Sequence, residues 1–306
     1  MTKIISFFIL LATLFLSPAY MEAQESDGIK LPVIPTELRT PAERASYLVA
    51  HYWDNFAFGD SLQYINHPEN VEQIVVNFID LFRLVPSEEA GLALAQVMKQ
   101  VSCTRNGLFF FYNTFEKYLY DLASPMRNEI YFIPVLEQML ASDRLSADDK
   151  IRPEMLLQSV RKNRVGAPAT DFLYTLADGS QQSLYALQAE WTLLLFFDPD
   201  CDECHQAVQE IQQNSFFQKL IEQKDLTLLA VYPGDNLNHW RLMQPNLPAD
   251  WLVAYDKEQI IYVKELYDIL GFPSLYLLDS QKIVRLKDTS PAQVEAYLKE
   301  TFIVDE

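Results

Sequence analysis

The sequence has few basic residues, few cysteines and no basic run in either half. Its 24 Lys and Arg against 42 Asp and Glu give a net charge of -18. Nucleic acid and anionic membrane surfaces both repel a chain of this charge. We therefore predict that neither is a partner. With 306 residues, the chain is long enough for two ordinary domains.

An apolar run near the N-terminus, residues 4–16, follows Lys3 and is too short to span a bilayer comfortably. Small residues come after it, and cleavage after Ala19 or Ala23 would suit a secretory signal peptide. An uncleaved anchor is the alternative. We predict a signal peptide over residues 1–23, export to the periplasm and no membrane insertion after cleavage. Because no cysteine lies near either cleavage point, we do not expect a lipoprotein.

Three cysteines, Cys103, Cys201 and Cys204, are too few for a disulfide scaffold. Cys201 and Cys204 are the natural pair, which leaves one odd thiol. Cys103 falls in a predicted helix among apolar residues. We therefore expect it to be buried and to behave as a small apolar side chain.

The chain changes character near residue 163, and two domains are predicted. Residues 24–39 are polar and are predicted to be a linker. Residues 40–162 follow helical periodicity after a capping box that begins at Thr40, which predicts an all-α domain of unknown function. Residues 163–306 alternate strands with helices, which predicts an α/β domain with a central mixed sheet flanked by helices.

The remaining predicted elements follow from apolar periodicity and turn residues. After the helix that begins at residue 40, the predicted helices of the first domain cover about 71–84, 87–103, 107–123, 128–141 and 147–162. In the second domain we predict hairpins around residues 178–179 and 279–280, buried strands over 191–197 and 226–232, a shorter strand over 251–255, and helices over about 202–222, 258–270 and 290–300.

The segment 196–205 carries the chemistry. Cys201 and Cys204 follow a predicted buried strand and open a predicted helix, and a C-x-x-C in that place is typical of thioredoxins. Unpaired N–H groups at a helix start stabilise a thiolate on the first cysteine. Asp198 and Asp200 are also suited to capping this helix.

Two further motifs accompany the cysteines. The first is Gly166-Ala167-Pro168 followed by Phe172, and the second is Tyr267-Asp268-Ile269-Leu270-Gly271-Phe272-Pro273. With them, residues 165–302 resemble the periplasmic thioredoxin-like family of cytochrome-maturation-type thiol-disulfide oxidoreductases. The resemblance implies catalytic Cys201 and Cys204, a cis Pro273 facing them, and a substrate-binding backbone at Phe272. It also implies protein thiol or disulfide clients and a membrane or periplasmic electron donor. We expect no cofactor and no metal.

The helical half resembles, over residues 51–56, an uncharacterised all-helical domain that precedes thioredoxin-like domains in some bacterial envelope proteins. That resemblance brings no known chemistry. The aromatic stretch 109–120 is interpreted as core or an interdomain surface, with a ligand groove as the alternative.

The cysteine motif departs from the family at three positions. Asp200 replaces the usual tryptophan before the first cysteine, and Leu195 and Ala207 occupy positions where relatives keep a carboxylate. Negative charge at Asp200, Asp202 and Glu203 is expected to raise the pKa of the Cys201 thiol, whereas a charged His205 would lower it. The sequence therefore predicts an enzyme, an exported thiol-disulfide oxidoreductase that acts as a reductant or isomerase.

Other interpretations of the motif stay open. Cys201 to His205 also matches the haem-attachment pattern C-x-x-C-H. A zinc site would need two more ligands from the histidines of the chain. Asp198 stands where a peroxidase would need Thr or Ser, so that function is weakly supported. The strongest alternative is a non-enzymatic envelope adaptor in which the pair is a structural or vestigial disulfide.

Overall fold

The computed structural model of the protein describes residues 25–26, 29–59 and 66–304. The chain divides between Val160 and Arg161 into two compact units. Within the described residues, every helix is too short or too polar to traverse a lipid bilayer. The predicted signal peptide, residues 1–23, lies outside the described residues.

Helices dominate the N-terminal unit, and the first of them begins where the sequence predicts. Thr40 Oγ1 accepts the N–H of Glu43 at 3.2 Å, and Glu43 Oε2 accepts the N–H of Thr40 at 3.0 Å. This reciprocal pair satisfies two N–H groups at the helix start. The elements described in this unit are β1 (Glu25–Ser26), β2 (Ile29–Lys30), α1 (Pro41–His51), α2 (Pro68–Asp80), a 3-10 turn (Leu81–Leu84), α3 (Ser87–Val101), α4 (Arg105–Leu119), α5 (Glu129–Ala141) and α6 (Ala147–Val160).

An aromatic cluster forms the centre of the N-terminal core. The Trp53 ring meets Phe78 edge-on at 5.5 Å and Phe111 edge-on at 5.2 Å between centroids. Edge-to-face contacts of this kind are favourable beyond the area they bury. The aromatic stretch 109–120 therefore supplies core: Phe111 and Phe115 are fully buried.

Two predictions for the N-terminal half need correction. The described part of the predicted linker packs onto the helices, with Ile29, Leu31 and Ile34 buried in the same core. Burial of these three apolar side chains outweighs the polar composition around them. Cys103 is exposed, because α3 ends at Val101 and the next residues form a turn. Thr104 then caps α4, and its Oγ1 accepts the N–H of Gly107 at 3.1 Å.

A seven-stranded mixed sheet forms the centre of the C-terminal unit. The elements are β3 (Leu173–Leu176), β4 (Gln181–Ser183), β5 (Trp191–Phe196), α7 (Asp202–Gln213), α8 (Ser215–Gln223), β6 (Leu226–Tyr232), α9 (Leu237–Met243), β7 (Leu252–Tyr255), α10 (Ile260–Val263), β8 (Ser274–Leu278), β9 (Val284–Lys287) and α11 (Pro291–Val304), with 3-10 turns at Leu184–Ala186 and Gln244–Asn246. The strand order is β4-β3-β7-β6-β5-β8-β9. Strands β5, β6 and β7 are parallel, and β8 is antiparallel to β5.

Both faces of the sheet are covered, as the continuous apolar run in β5 predicts. Leu193 and Leu195 pack into one cluster together with residues of α7, α8 and α11. Leu194 and Phe196 point to the opposite face and pack with Phe172 and neighbouring side chains. This alternation follows from the two-residue period of a strand.

Two predicted helices of this unit differ from the structure. The helix expected over 202–222 is interrupted at Asn214, whose Oδ1 accepts the N–H of Phe216 at 2.9 Å and so caps α8. The helix expected over 258–270 is reduced to the four residues of α10. Glu265 has a positive φ of 47°, which ends the helix. Tyr267 is then buried, and its hydroxyl donates to the carbonyl of Thr170 at 2.7 Å.

Candidate functional site

The ends of four strands bring the predicted site residues to one edge of the C-terminal sheet. Because β5, β6 and β7 are parallel, their carboxyl ends share an edge. Strand β8 is antiparallel to β5 and begins at this same edge, where Phe196 is the register partner of Ser274. Connections that leave or enter the strands here therefore lie side by side.

Cys201 and Cys204 form a disulfide at the start of α7, with their Cα atoms 5.2 Å apart. Cys201 is itself the N-cap residue, and its Sγ accepts the N–H of Cys204 at 3.0 Å. Cys201 is only partly buried, whereas Cys204 is 1% exposed. The two cysteines therefore differ in exposure, and Cys201 is the more exposed of the pair.

The prolyl segment precedes β8, at the end of β5 from which the cysteine loop departs. The Phe272–Pro273 peptide bond is cis. Pro273 directly precedes Ser274, so the pairing of Ser274 with Phe196 fixes Pro273 at the end of β5, from which the cysteine loop departs. The Phe272 ring packs against the same apolar cluster as Cys201 and Cys204. Ser274 Oγ donates to Asp288 Oδ1 at 2.9 Å, which ties the start of β8 to the end of β9.

Acidic side chains surround Cys201, as the sequence predicts, but they have different partners. Glu203 Oε2 lies 4.0 Å from Cys201 Sγ. Asp202 is exposed in the first turn of α7. Asp200 Oδ2 lies 3.1 Å from His239 Nδ1. Asp198 Oδ1 accepts the N–H of Asp200 at 2.9 Å, so Asp198 closes the turn before α7 and the cap of the helix is Cys201.

His205 and the two substituted family positions form the inner side of the site. The backbone N–H of His205 donates to the Cys201 carbonyl at 3.2 Å. Its Nε2 is buried and makes no hydrogen bond to any residue that the structure describes. Leu195 and Ala207 are buried and apolar. No carboxylate is therefore present at the two positions where relatives keep one beneath the cysteines.

Three residues of this edge were not identified from the sequence as site residues. His239 belongs to α9, whose seven residues are too few for a periodicity signal. Tyr232 ends β6; its hydroxyl accepts the N–H of Asn236 at 3.3 Å, and burial, together with nearby acidic groups, raises its pKa. Asp256 follows β7 and is 2% exposed, and an aspartate after a buried strand was the only available signal for it.

Asp256 has a clear structural effect. Its Oδ2 accepts the N–H of Ile261 at 2.7 Å, so the carboxylate holds the start of α10 against the end of β7. Burial raises the pKa of this carboxyl, while the backbone hydrogen bonds it accepts act in the opposite direction.

Metal-ligating side chains do not converge in the part of the chain that the structure describes: no three His, Cys, Asp or Glu side chains there are arranged to hold an ion.

The order of the strands, the helix-capping disulfide and the cis-prolyl segment define a thioredoxin-like fold. A thioredoxin-like protein from Bacteroides caccae, solved by crystallography, is 40% identical to this chain with a TM-score of 0.86, and the match covers 89% of this chain and 98% of that one. The chain therefore belongs to the same thioredoxin-like family.

Other comparisons concern parts of the chain. A family model described as a domain of unknown function, DUF5106, matches residues 17–163. The C-terminal domain of an uncharacterized protein from Bacteroides fragilis is 37% identical over 45% of this chain and 98% of its own, with a TM-score of 0.44. The thioredoxin domain of a thiol-disulfide oxidoreductase from Bacteroides vulgatus is 18% identical over 45% of this chain and 97% of its own, with a TM-score of 0.41. The comparison with curated proteins gives no match.

Proposed function

We propose that this chain is an exported thiol-disulfide oxidoreductase in which Cys201 attacks and Cys204 resolves. The observation that carries the proposal is the position of Cys201 as the cap of α7, where its Sγ accepts the N–H of Cys204 at 3.0 Å. A donor at this place stabilises the thiolate more than the thiol, and the thiolate is the nucleophile. The exposure of the two cysteines supports the same order, because a client reaches Cys201 before Cys204.

In the proposed reaction, two exchanges reduce one client disulfide. The Cys201 thiolate attacks one client sulfur, which forms a mixed disulfide and releases the other client sulfur as a thiolate that takes a proton from solvent. Cys204 then loses its proton and attacks Cys201 Sγ. This forms the Cys201–Cys204 disulfide and releases the second client thiol. Two electrons thus pass to the client. A dithiol donor in the envelope then reduces the Cys201–Cys204 disulfide again by the same two exchanges in reverse.

Pro273 and Phe272 are proposed to form the wall against which the client segment lies. The support is geometric: the register of β8 fixes Pro273 at the end of β5, and Phe272 packs against the same apolar cluster as the two cysteines. A client segment extended along this wall would bring its disulfide to the exposed side of Cys201.

The charges around the pair favour work as a reductant or isomerase. Glu203 Oε2 is 4.0 Å from Cys201 Sγ, and Asp202 precedes it in the same turn. Negative charge at this distance disfavours the thiolate and so opposes the N–H of Cys204. A less stable reduced form gives electrons up more readily. A redox titration that placed the pair among strong oxidants would contradict this direction.

Export is proposed from residues 1–23, with action in the periplasm. Fractionation of cells that produce the full chain, together with N-terminal sequencing of the mature protein, tests this. The expected new N-terminus follows Ala19 or Ala23, and recovery of the uncleaved chain from the cytoplasm would contradict it.

The central experiment compares three cysteine variants against a disulfide-linked fluorescent peptide, with the protein reduced beforehand. We expect Cys201→Ser to lose at least a hundredfold in rate and Cys204→Ser to accumulate a mixed disulfide with the peptide. Cys103→Ser is the matched control and should keep full activity, because this thiol is exposed in the other unit. Activity retained in Cys201→Ser would reject the proposal.

A non-enzymatic adaptor with a structural disulfide is the second candidate, and the apolar Leu195 in place of a carboxylate favours it. The distinguishing measurement is the melting temperature of the Cys103→Ser protein before and after reduction by a mild dithiol. A structural disulfide predicts that reduction unfolds the domain. A redox pair predicts reversible reduction with the fold intact.

A further inference from the structure

The acidic groups beside the disulfide differ in whether a basic side chain lies against them. Asp200 lies against His239, with 3.1 Å between Oδ2 and Nδ1. Asp202 and Glu203 are both exposed in the first turn of α7, and neither forms an ion pair with a residue that the structure describes. Two unneutralised carboxylates therefore follow directly after the partly exposed Cys201.

Negative charge continues from the cysteine loop towards the next two strand ends. The Asp198 carboxylate is close enough to act on both Tyr232 and Tyr262, where it adds to the effect of burial in raising each pKa. Segment 196–206 contains no Lys or Arg. A group that approaches Cys201 along this segment therefore meets carboxylates that no Lys or Arg of the same segment offsets.

Apolar surface adjoins the same place. Tyr262 and Val263, on α10, are 44% and 75% exposed, and Phe272 is partly exposed beside the cysteines. An extended polypeptide can bury apolar side chains here while its charged side chains meet the carboxylates of α7. A small anionic thiol gains no such contact and is repelled.

We propose that the clients of this site are polypeptides whose reactive cysteine is flanked by lysine or arginine, with the cations placed against Asp202 and Glu203. The proposal rests on the proposed function and adds a substrate class to it. Opposite charges across an interface raise the rate of encounter and select the partner, whereas like charges oppose it. Disulfides flanked by acidic groups are therefore expected to be poor substrates.

The test uses three small disulfides of similar size and different charge: cystamine (cationic), 2-hydroxyethyl disulfide (neutral) and 3,3′-dithiodipropionate (anionic). The full chain carrying Cys103→Ser is reduced beforehand, and the rate of Cys201–Cys204 disulfide formation is measured with each. Because the leaving thiols of the three disulfides differ in pKa, their absolute rates are not directly comparable. The informative quantity is the rate with cystamine divided by the rate with 3,3′-dithiodipropionate, compared between a variant and its parent.

Two double variants are compared with the parent. Asp202→Asn with Glu203→Gln removes the two carboxylates beside Cys201. Glu190→Gln with Asp250→Asn removes two exposed carboxylates that precede β5 and β7 and thus lie at the opposite edge of the sheet. At low ionic strength we expect the ratio to fall by about three- to tenfold in the first variant and to stay unchanged in the second. Raising the salt from about 0.01 M to about 0.15 M should reduce the parent's ratio, because the screening length falls from about 30 Å to about 8 Å.

An unchanged ratio in Asp202→Asn/Glu203→Gln would overturn the inference and leave the proposed function intact. An equal fall in both variants would overturn it too, because the preference would then reflect the total charge of the chain. Failure of the parent to react with any of the three disulfides would overturn the proposed function itself. The rate with the neutral disulfide reports separately on any change in the reactivity of Cys201.

Discussion

The two units of this chain differ in what they do with polar side chains. In the N-terminal unit, ion pairs surround an aromatic core centred on Trp53: Arg105 with Asp149 is partly exposed, whereas Arg127 with Glu129 is largely buried. In the C-terminal unit, polar and reactive groups gather at one edge of the sheet, and one of them, Asp256, is 2% exposed. The helical unit is thus held by apolar packing, whereas the sheet concentrates its chemistry where parallel strands end.

This comparison shows that Cys103 and Cys201, the two cysteines that are not fully buried, have unlike surroundings. Cys103 lies exposed in a turn between two helices, and its sulfur has no described partner. Cys201 caps a helix beside two carboxylates and a prolyl segment. Surroundings of the second kind set the reactivity of a thiol, and exposure alone does not.

The largest expected effect on stability comes from a substitution in the aromatic core of the N-terminal unit. Phe111→Ala removes a fully buried ring that meets Trp53 edge-on, and we expect it to lower the free energy of unfolding by about 3–5 kcal/mol. Urea denaturation followed by circular dichroism measures this. Leu92→Ala, at a position that is 66% exposed, is the control and should change stability by less than about 0.5 kcal/mol. If Phe111→Ala also shifted the reduction potential of the Cys201–Cys204 pair, the helical unit could not be described as contributing apolar packing alone.

The buried carboxylate of Asp256 is expected to stabilise the C-terminal unit. Asp256→Ala leaves the N–H of Ile261 without its acceptor, and we expect a loss of about 1–3 kcal/mol in the free energy of unfolding. Asp250→Ala, at an exposed position before β7, is the matched control. If the two variants unfold at the same urea concentration, the hydrogen bonds of Asp256 do not stabilise this edge.

The smallest effect concerns a surface ion pair of the helical unit. Hydrogen bonds from Arg105 and then from Ser146 lower the pKa of Asp149 to about 2. A lowered carboxyl pKa contributes stability that is complete above the ordinary value of about 4 and disappears as the pH falls through about 2. We therefore expect Asp149→Asn to melt below the wild type at pH 7 and to converge with it near pH 2. Asp148→Asn, next along the same helix, should show no such convergence.

Much of the fold follows from local sequence signals. The Thr40 capping box, the fully buried strand at Trp191–Phe196 and the hairpin turn at Gly179 are formed as predicted, because each is determined by residues close together in the chain. The helix start at the cysteines and the cis bond before Pro273 also agree with the sequence-based expectation.

Features that depend on distant contacts were not predicted. The contact between His239 and Asp200 joins α9 to the cysteine loop because β6 lies next to β5 in the sheet, an order that no local pattern encodes. Burial of Tyr267 overrides the helical pattern of residues 258–270. Burial of Ile29 likewise overrides the polar composition of the predicted linker. In each case tertiary packing prevails over local propensity.

The position of the prolyl segment is determined by apolar packing far from the sulfurs. Leu275 and Leu277 face one side of the sheet and Tyr276 and Leu278 the other, so a slip of β8 by one residue would invert every one of these side chains. Pro273 cannot shift along β5 without disrupting both layers of the core. Substitutions within β8 can therefore change the position of Phe272 and Pro273, the proposed client wall, while leaving both cysteines unaltered.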